Sequence, residues 1–267
     1  MAEADLMVFV HIPKCAGTAL NTWLSNSHHY GNLYVKLSDV RMNALRWQDI
    51  SPLDLRDPRM RSVASHHLRT YPETIEGRTL RYITILREPI LRWISDTRYF
   101  GRMNAEDGTP RLTLREYAEW MLDQPATEML ELINGQTNFI AEHEWFRRER
   151  HESILIDWNA EPDLFARYTR ERLALARDLL RSFPVVGTVD RLTDFTHVLQ
   201  ARAPAWDVPL IPVDGLEPKL VTIAPAVNLD WIVPADSVGR RLLDAFAEDF
   251  ELYRLASELI ASETAKL

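Results

Sequence analysis

A single cysteine, Cys15, occurs among 267 residues, which excludes an internal disulfide and a zinc site built from cysteines. No run of about 18 apolar residues is present, so nothing in the sequence is suited to cross a bilayer as a helix. The opening, MAEAD, is acidic, where a secretory leader carries basic residues ahead of its apolar stretch. These absences make a cytoplasmic protein with no membrane partner the expectation. Positive charge is also in short supply: 31 Lys and Arg stand against 39 Asp and Glu, a formal net charge of -8. Nucleic-acid binding depends on a basic face that displaces counterions, so no nucleic-acid partner is expected. Internal repeats, low-complexity tracts and domain linkers are absent too.

What is present is an ordinary globular composition, 46% hydrophobic and 26% charged, in a chain long enough to bury a large core. Leu6 to Ile12 is a short apolar run closed by Pro13 and reads as a buried strand. The following KCAGTALNTWL turns through Gly17 and then places Ala19, Leu20, Trp23 and Leu24 at helical spacing. Arg61 to Ala64 predicts a second strand, with His66 and His67 just past its end. Leu80 to Leu86 carries the strongest strand signal. It stops at Arg87-Glu88-Pro89, where Pro89 suits the first turn of a helix with Ile90, Trp93, Ile94 and Thr97 on its buried face. A mostly helical middle follows, about 113-182, as a helical pattern over Thr113 to Ile133 broken near Pro125 and a long amphipathic helix from Glu161 to Phe183. A strand at Pro184 to Thr188, a helix from Arg191 and a closing helix over Asp236 to Ser262 complete the reading. Six prolines between Ala203 and Ala235 argue against a regular element and mark a stiffened loop at 203-235, of a length that is often functional. Strands alternating with helices predict an α/β fold, one domain over 1-267 with a central, mostly parallel sheet flanked by helices.

A strand, a glycine-containing loop and a helix N-terminus make an anion site, because free backbone N–H groups and the positive end of the helix dipole converge there. In PKCAGTA, Lys14 can reach a bound phosphate and Thr18 sits at the helix start. The small Ala16 and Gly17 let the backbone approach the ligand. The lysine lies three residues before the glycine. The GxxxxGK[ST] pattern places it directly after, so Mg²⁺-dependent triphosphate hydrolysis loses its main support. An ordinary βα turn with a surface lysine is the plain alternative. LREPILRWISD, Leu86 to Asp96, suggests a second anion site. Arg87 at a strand end offers a planar bidentate donor and Ser95 on the next helix a neutral one, a pair suited to a terminal phosphate. The plain alternative is that Arg87 pairs with Glu88 and Ser95 faces solvent.

HIPKCAGTAL resembles the HIPKTGGT-type phosphosulfate loop of the sulfotransferase superfamily. It looks closest to the branch that includes the heparan-sulfate 2-O-sulfotransferases and many bacterial members. LREPILRWISD is similar to that family's REPxxRxxSxY segment, matching at Arg87, Glu88, Pro89, Arg92 and Ser95. Three weaker likenesses extend it: Asn134 to Asn138 resembles a family segment near the active site, Val186 to Arg191 a VGxxE segment, and Asp249 with Tyr253 a DxxxY ending. The resemblance implies a P-loop-NTPase-like three-layer domain and a sulfotransferase that uses 3′-phosphoadenosine 5′-phosphosulfate (PAPS) as sulfate donor, with no metal. It implies that Lys14, Cys15, Ala16, Gly17, Thr18 and Ala19 bind the 5′-phosphosulfate and that Arg87 and Ser95 hold the 3′-phosphate. Cys15-Ala16 stands where the family more often has Thr-Gly, and Ala19 lacks a hydroxyl that many members carry.

Transfer to a hydroxyl needs a base, and histidine suits the step because its unperturbed pKa of roughly 6.5 lies near neutrality. The family branch has a Gly-His pair at the place of Ser65-His66, which makes His66 the candidate base, with His67 the alternative and a structural histidine the plain reading. His11, inside the loop motif, is expected to orient the loop. Lys14 is expected to neutralise charge growing on the bridging oxygen and the 5′-phosphate. The loop at 203-235 is either a cover for the cofactor, with Lys219 and Asn228 as candidate contacts, or a surface connection. The acceptor is expected to be a small-molecule or carbohydrate hydroxyl. Two other classes stay open: a small-molecule kinase on the same strand–loop–helix plan, marked by Mg²⁺-dependent ATP binding, and a non-catalytic nucleotide-binding homologue.

Overall fold

The computed structural model describes residues 5–27, 33–36, 60–65, 74–75, 78–99, 112–130, 132–149, 157–212 and 229–267. Its centre is β1 (Leu6–Val10), every residue of which is buried. Parallel to it run β3 (Met60–Ser65) on one side and β5 (Arg78–Leu86) on the other. Outside these lie β2 (Leu33–Lys36) against β3 and β6 (Val185–Thr188) against β5, again parallel. A two-residue strand, β4 (Thr74–Ile75), pairs antiparallel with the start of β5. Strands covered on both faces read as near-continuous apolar runs, and LMVFV of β1 is such a run.

The helices are α1 (Gly17–Ser27), α2 (Pro89–Tyr99), α3 (Leu114–Leu122), α4 (Gly135–Arg148), α5 (Pro162–Ser182), α6 (Leu192–Arg202), α7 (Ser237–Ala245) and α8 (Ala247–Thr264). Side-chain alternation along the strands sorts them into layers. Met7, Phe9, Ile83, Ile85 and Val185 pack with Leu20 and Trp23 of α1 and Phe195 and Leu199 of α6. Val10, Leu86 and Val186 pack the opposite way, with Phe139 and Ile140 of α4, Tyr168 and Leu175 of α5 and Leu252 of α8. This is the three-layer α/β arrangement expected. A third apolar cluster joins Trp93 of α2, Tyr117 of α3 and Leu242 of α7. No helix among the described residues is long and apolar enough to cross a membrane.

Several boundaries differ from the sequence expectation. The first strand ends at Val10, because the chain turns at once: Ile12 N–H bonds Val10 O and Cys15 N–H bonds Ile12 O. The helical pattern from Thr113 stops at Leu122, after a start secured by Thr113 and Glu116 capping each other's backbone. The chain then turns until α4, which was not expected as a separate helix. The closing helix is two, α7 and α8, parted at Phe246. β2 was not expected at all. Within 203-235, Ala203–Trp206 forms a short 3₁₀ turn, a regular element where the prolines argued against one; Pro204 suits it because a first-turn residue needs no N–H partner. Residues 213–228 lie outside the described set.

The strand order has a consequence for function. In an open parallel sheet, loops gather at the carboxyl ends of the strands, where ligands bind. Here those loops include the one after β1, which carries Lys14, and the one after β5, which carries Arg87.

Candidate anion-binding site

The loop after β1 is held in an unusual backbone shape. Lys14 has φ 68° and Ala16 φ 56°, left-handed conformations that cost a residue with a Cβ about 1 kcal/mol or more each. Such local strain persists only where the surroundings enforce it. Left-handed residues on either side of Cys15 turn successive N–H groups into a concavity of the anion-binding kind. The N–H groups of Ala16, Gly17, Thr18 and Ala19 have no backbone acceptor among the described residues. They are the orphan donors at the start of α1, at the positive end of its dipole.

Gly17 has a different task from the one its size suggested. A Cβ there would lie 1.5 Å from Nε2 of His11, so the imidazole fills the space. The His11 ring stacks on Phe9, with centroids 5.3 Å apart, and its Nδ1 lies 3.4 Å from Asn21 Nδ2. His11 thus props the loop from the protein side, which agrees with an orienting role.

Lys14 is half-buried, with Nζ 3.6 Å from the centroid of the Tyr99 ring. Burial lowers its pKa; the charge of Asp96 opposes that, and Arg87 adds to it. Arg87 does not turn toward Glu88. Its Nη1 donates to Lys14 O at 3.3 Å, while the Glu88 carboxylate accepts from Leu91 N–H at 2.6 Å and so caps α2. Burial also lowers the pKa of Arg87, partly offset by Cys15 and Glu88. The structure therefore brings the two expected anion-binding segments into direct contact. Ser95 is half-buried on α2, and its hydroxyl has no recorded partner among the described residues. Thr18 is exposed at the head of α1.

Cys15 stands apart from its neighbours in the loop. Its N–H is used by Ile12, and its side chain is 1% exposed within the core. Sγ donates to Gln136 Oε1 at 3.4 Å, and burial pushes the thiol up to about 12. The Cys15 N–H and thiol are both bonded within the protein, whereas the N–H groups of Ala16 to Ala19 have no backbone acceptor among the described residues. His66, His67, Lys219 and Asn228 lie outside the described residues. Ser65, the last residue of β3, pairs with Val10, so the strand leading to the candidate base ends beside the loop that follows β1.

Three buried residues complete the site; the sequence placed each in a motif likeness but assigned none of them a contact. Arg92 donates from Nε to Pro13 O at 3.3 Å. Gln136 exchanges hydrogen bonds with both backbone groups of Arg87. Asp249, on α8, accepts from the N–H groups of Gln136 and Thr137 and from the Thr137 hydroxyl, and so caps α4 from outside. Its own N–H donates to Asn134 Oδ1. The Asn134 to Asn138 segment and Asp249 were visible as motif likenesses, but no local spacing links residues more than a hundred positions apart. Chemically, the assembly offers four N–H groups without a backbone acceptor among the described residues, an ammonium and a guanidinium, the donor types that suit phosphate-type anions. No protein-family model matches the chain, and no curated protein matches it.

Proposed function

We propose that the chain is a sulfotransferase that moves a sulfuryl group from PAPS to a hydroxyl of a small-molecule or carbohydrate acceptor. The observation that carries the reading is the Arg87–Lys14 contact, which joins two anion-binding segments at the carboxyl edge of a parallel sheet. The motif likenesses at His11 to Leu20 and Leu86 to Asp96 give it its chemical direction. The donor fits the residues present, since a nucleotide with phosphates at both ends needs two adjoining anion sites. When bound, PAPS supplies an activated sulfuryl group on a phosphate leaving group. The N–H groups of Ala16 to Ala19 and the Lys14 ammonium would hold its 5′ end, while Arg87 and Ser95 would hold its 3′-phosphate. Preorganised donors of this kind stabilise developing negative charge without reorganising. His66 is the proposed base for the acceptor hydroxyl, with His67 as the alternative, and no metal enters the reading.

The test is thermal stabilisation by 3′,5′-adenosine bisphosphate, the desulfated product, beside ATP with Mg²⁺, in wild type and Arg87→Ala. Ligand at about a hundred times its dissociation constant adds roughly 2.7 kcal/mol, a rise of several degrees for a domain of this size. The expected result is a shift with the bisphosphate that Arg87→Ala removes. A shift with ATP and Mg²⁺ alone would sink the reading and favour a small-molecule kinase.

A further inference from the structure

We propose that Gln136 is a positioning residue that sets the two anion-binding segments in register; its effect on PAPS rests on the sulfotransferase reading, its effect on the loop does not. Gln136 is fully buried, in the first turn of α4. Its Oε1 accepts from Arg87 N–H at 2.9 Å and from the Cys15 thiol at 3.4 Å. Its Nε2 donates to Arg87 O at 2.9 Å. One side-chain amide thus satisfies both backbone groups of Arg87 and the side chain at the centre of the phosphate loop.

The need for it follows from the sheet. The β5–β6 ladder ends at Leu86, paired with Thr188, so the backbone of Arg87 has left the ladder. Its N–H and C=O need partners, because an unpaired buried backbone group is costly. A carboxamide is the side chain that carries a donor and an acceptor on one planar group, which lets it stand in for a neighbouring strand. A carboxylate could accept but not donate, and an aliphatic chain could do neither.

The amide is itself held from behind. Asp249 takes the N–H groups of Gln136 and Thr137, which fixes the start of α4, and Gly135 packs against the Arg92 guanidinium with no room for a Cβ. Arg92 in turn grips Pro13 O. A chain of buried contacts therefore runs from α8 through Gln136 to Arg87 and the loop. Gln136 acts through Arg87 and Cys15, and it is not a catalytic residue.

The experiment uses the full chain as wild type, Gln136→Met, Gln136→Asn and, as a control, Ser27→Ala. Ser27 loses buried hydrogen bonds at the far end of α1, donated to Trp23 O and accepted from Ile211 N–H. Two quantities are read: calorimetric affinity for 3′,5′-adenosine bisphosphate, and the rate at which Ellman's reagent labels Cys15 without ligand. Gln136→Met should weaken the bisphosphate about tenfold or more and speed thiol labelling by a similar factor, as expected for loss of buried hydrogen bonds. Ser27→Ala should change neither by more than about twofold. If Gln136→Met does not fold, Gln136→Asn carries the test, with the same direction expected from its shorter reach. Gln136 variants that fold and match Ser27→Ala in both readouts overturn the proposal. If wild type binds no bisphosphate, the sulfotransferase reading falls and the thiol rates alone decide the role of Gln136.

Discussion

Residues around the candidate anion site differ most in how far water has been taken from them. Lys14 and Arg87 keep part of their surface in solvent, and each has its pKa lowered by burial, so the protein holds two cations close together at a cost that a bound anion would relieve. Cys15 lies at the other extreme. With its thiol raised from 9.0 to about 12, it is neutral and unreactive in the folded chain, since thiolate is the nucleophilic form. Ellman's reagent at pH 8 should therefore label the native protein only slowly, and its one thiol far faster after unfolding. The same shift sets a sign for stability. The unfolded thiol ionises near 9 while the folded one keeps its proton, so its contribution is complete below pH 9. Stability then falls as pH rises toward 12, by at most about 1.4 kcal/mol per pH unit. Urea unfolding at pH 8 and pH 10 should show a smaller loss in Cys15→Ser than in wild type. The comparison is needed because Tyr253, whose phenol burial and Asp190 also raise, destabilises in the same direction at still higher pH.

Single elements carry the next level of control. The head of α1 is shaped by the His11 ring occupying the place of a side chain at Gly17. Gly17→Ala forces that ring to move, and a destabilisation of about 1–3 kcal/mol is expected from overpacking, together with weaker bisphosphate binding. His11→Ala in the same chain removes the overlap, so the double variant should be more stable than the sum of the single changes predicts. Denaturant unfolding of the four proteins completes that cycle, and additive losses would mean that His11 and Gly17 do not act as one unit. The starts of α1, α2 and α5 were legible because proline, small residues and apolar spacing lie within a few positions of the effect they produce. The break between α7 and α8 was not. No glycine or proline stands at Phe246; its ring is buried in the cluster with Trp93 and Leu242, and tertiary packing decides the break. α4 was missed for a related reason, since its start is capped by Asp249 of a distant helix rather than by a neighbouring residue.

The whole molecule is held by the sheet and its two covering layers. Phe195 of α6 is fully buried and lies over Gly187 of β6, where a Cβ would come within 2.6 Å of the ring. Phe195→Ala should cost about 3–5 kcal/mol in unfolding free energy, read by urea melts, and should leave bisphosphate affinity nearly unchanged because the loop's hydrogen bonds go to Arg87, α2 and α4 and not to α6. The sequence by itself determined the α/β class, the strand–loop–helix at Leu6 to Ser27 and the strand-to-helix turn at Leu86 to Pro89. Each rests on periodicity, proline or small residues acting over a few positions, which a linear reading can see. The tertiary structure alone decided that Arg87 touches Lys14 across 73 positions, that Gln136 reaches Cys15 across 121, and that Asp249 caps α4 across 112. Those contacts depend on which strands lie side by side and on how helices pack over them. That order is set by the burial of the whole core, and no spacing along the chain encodes it.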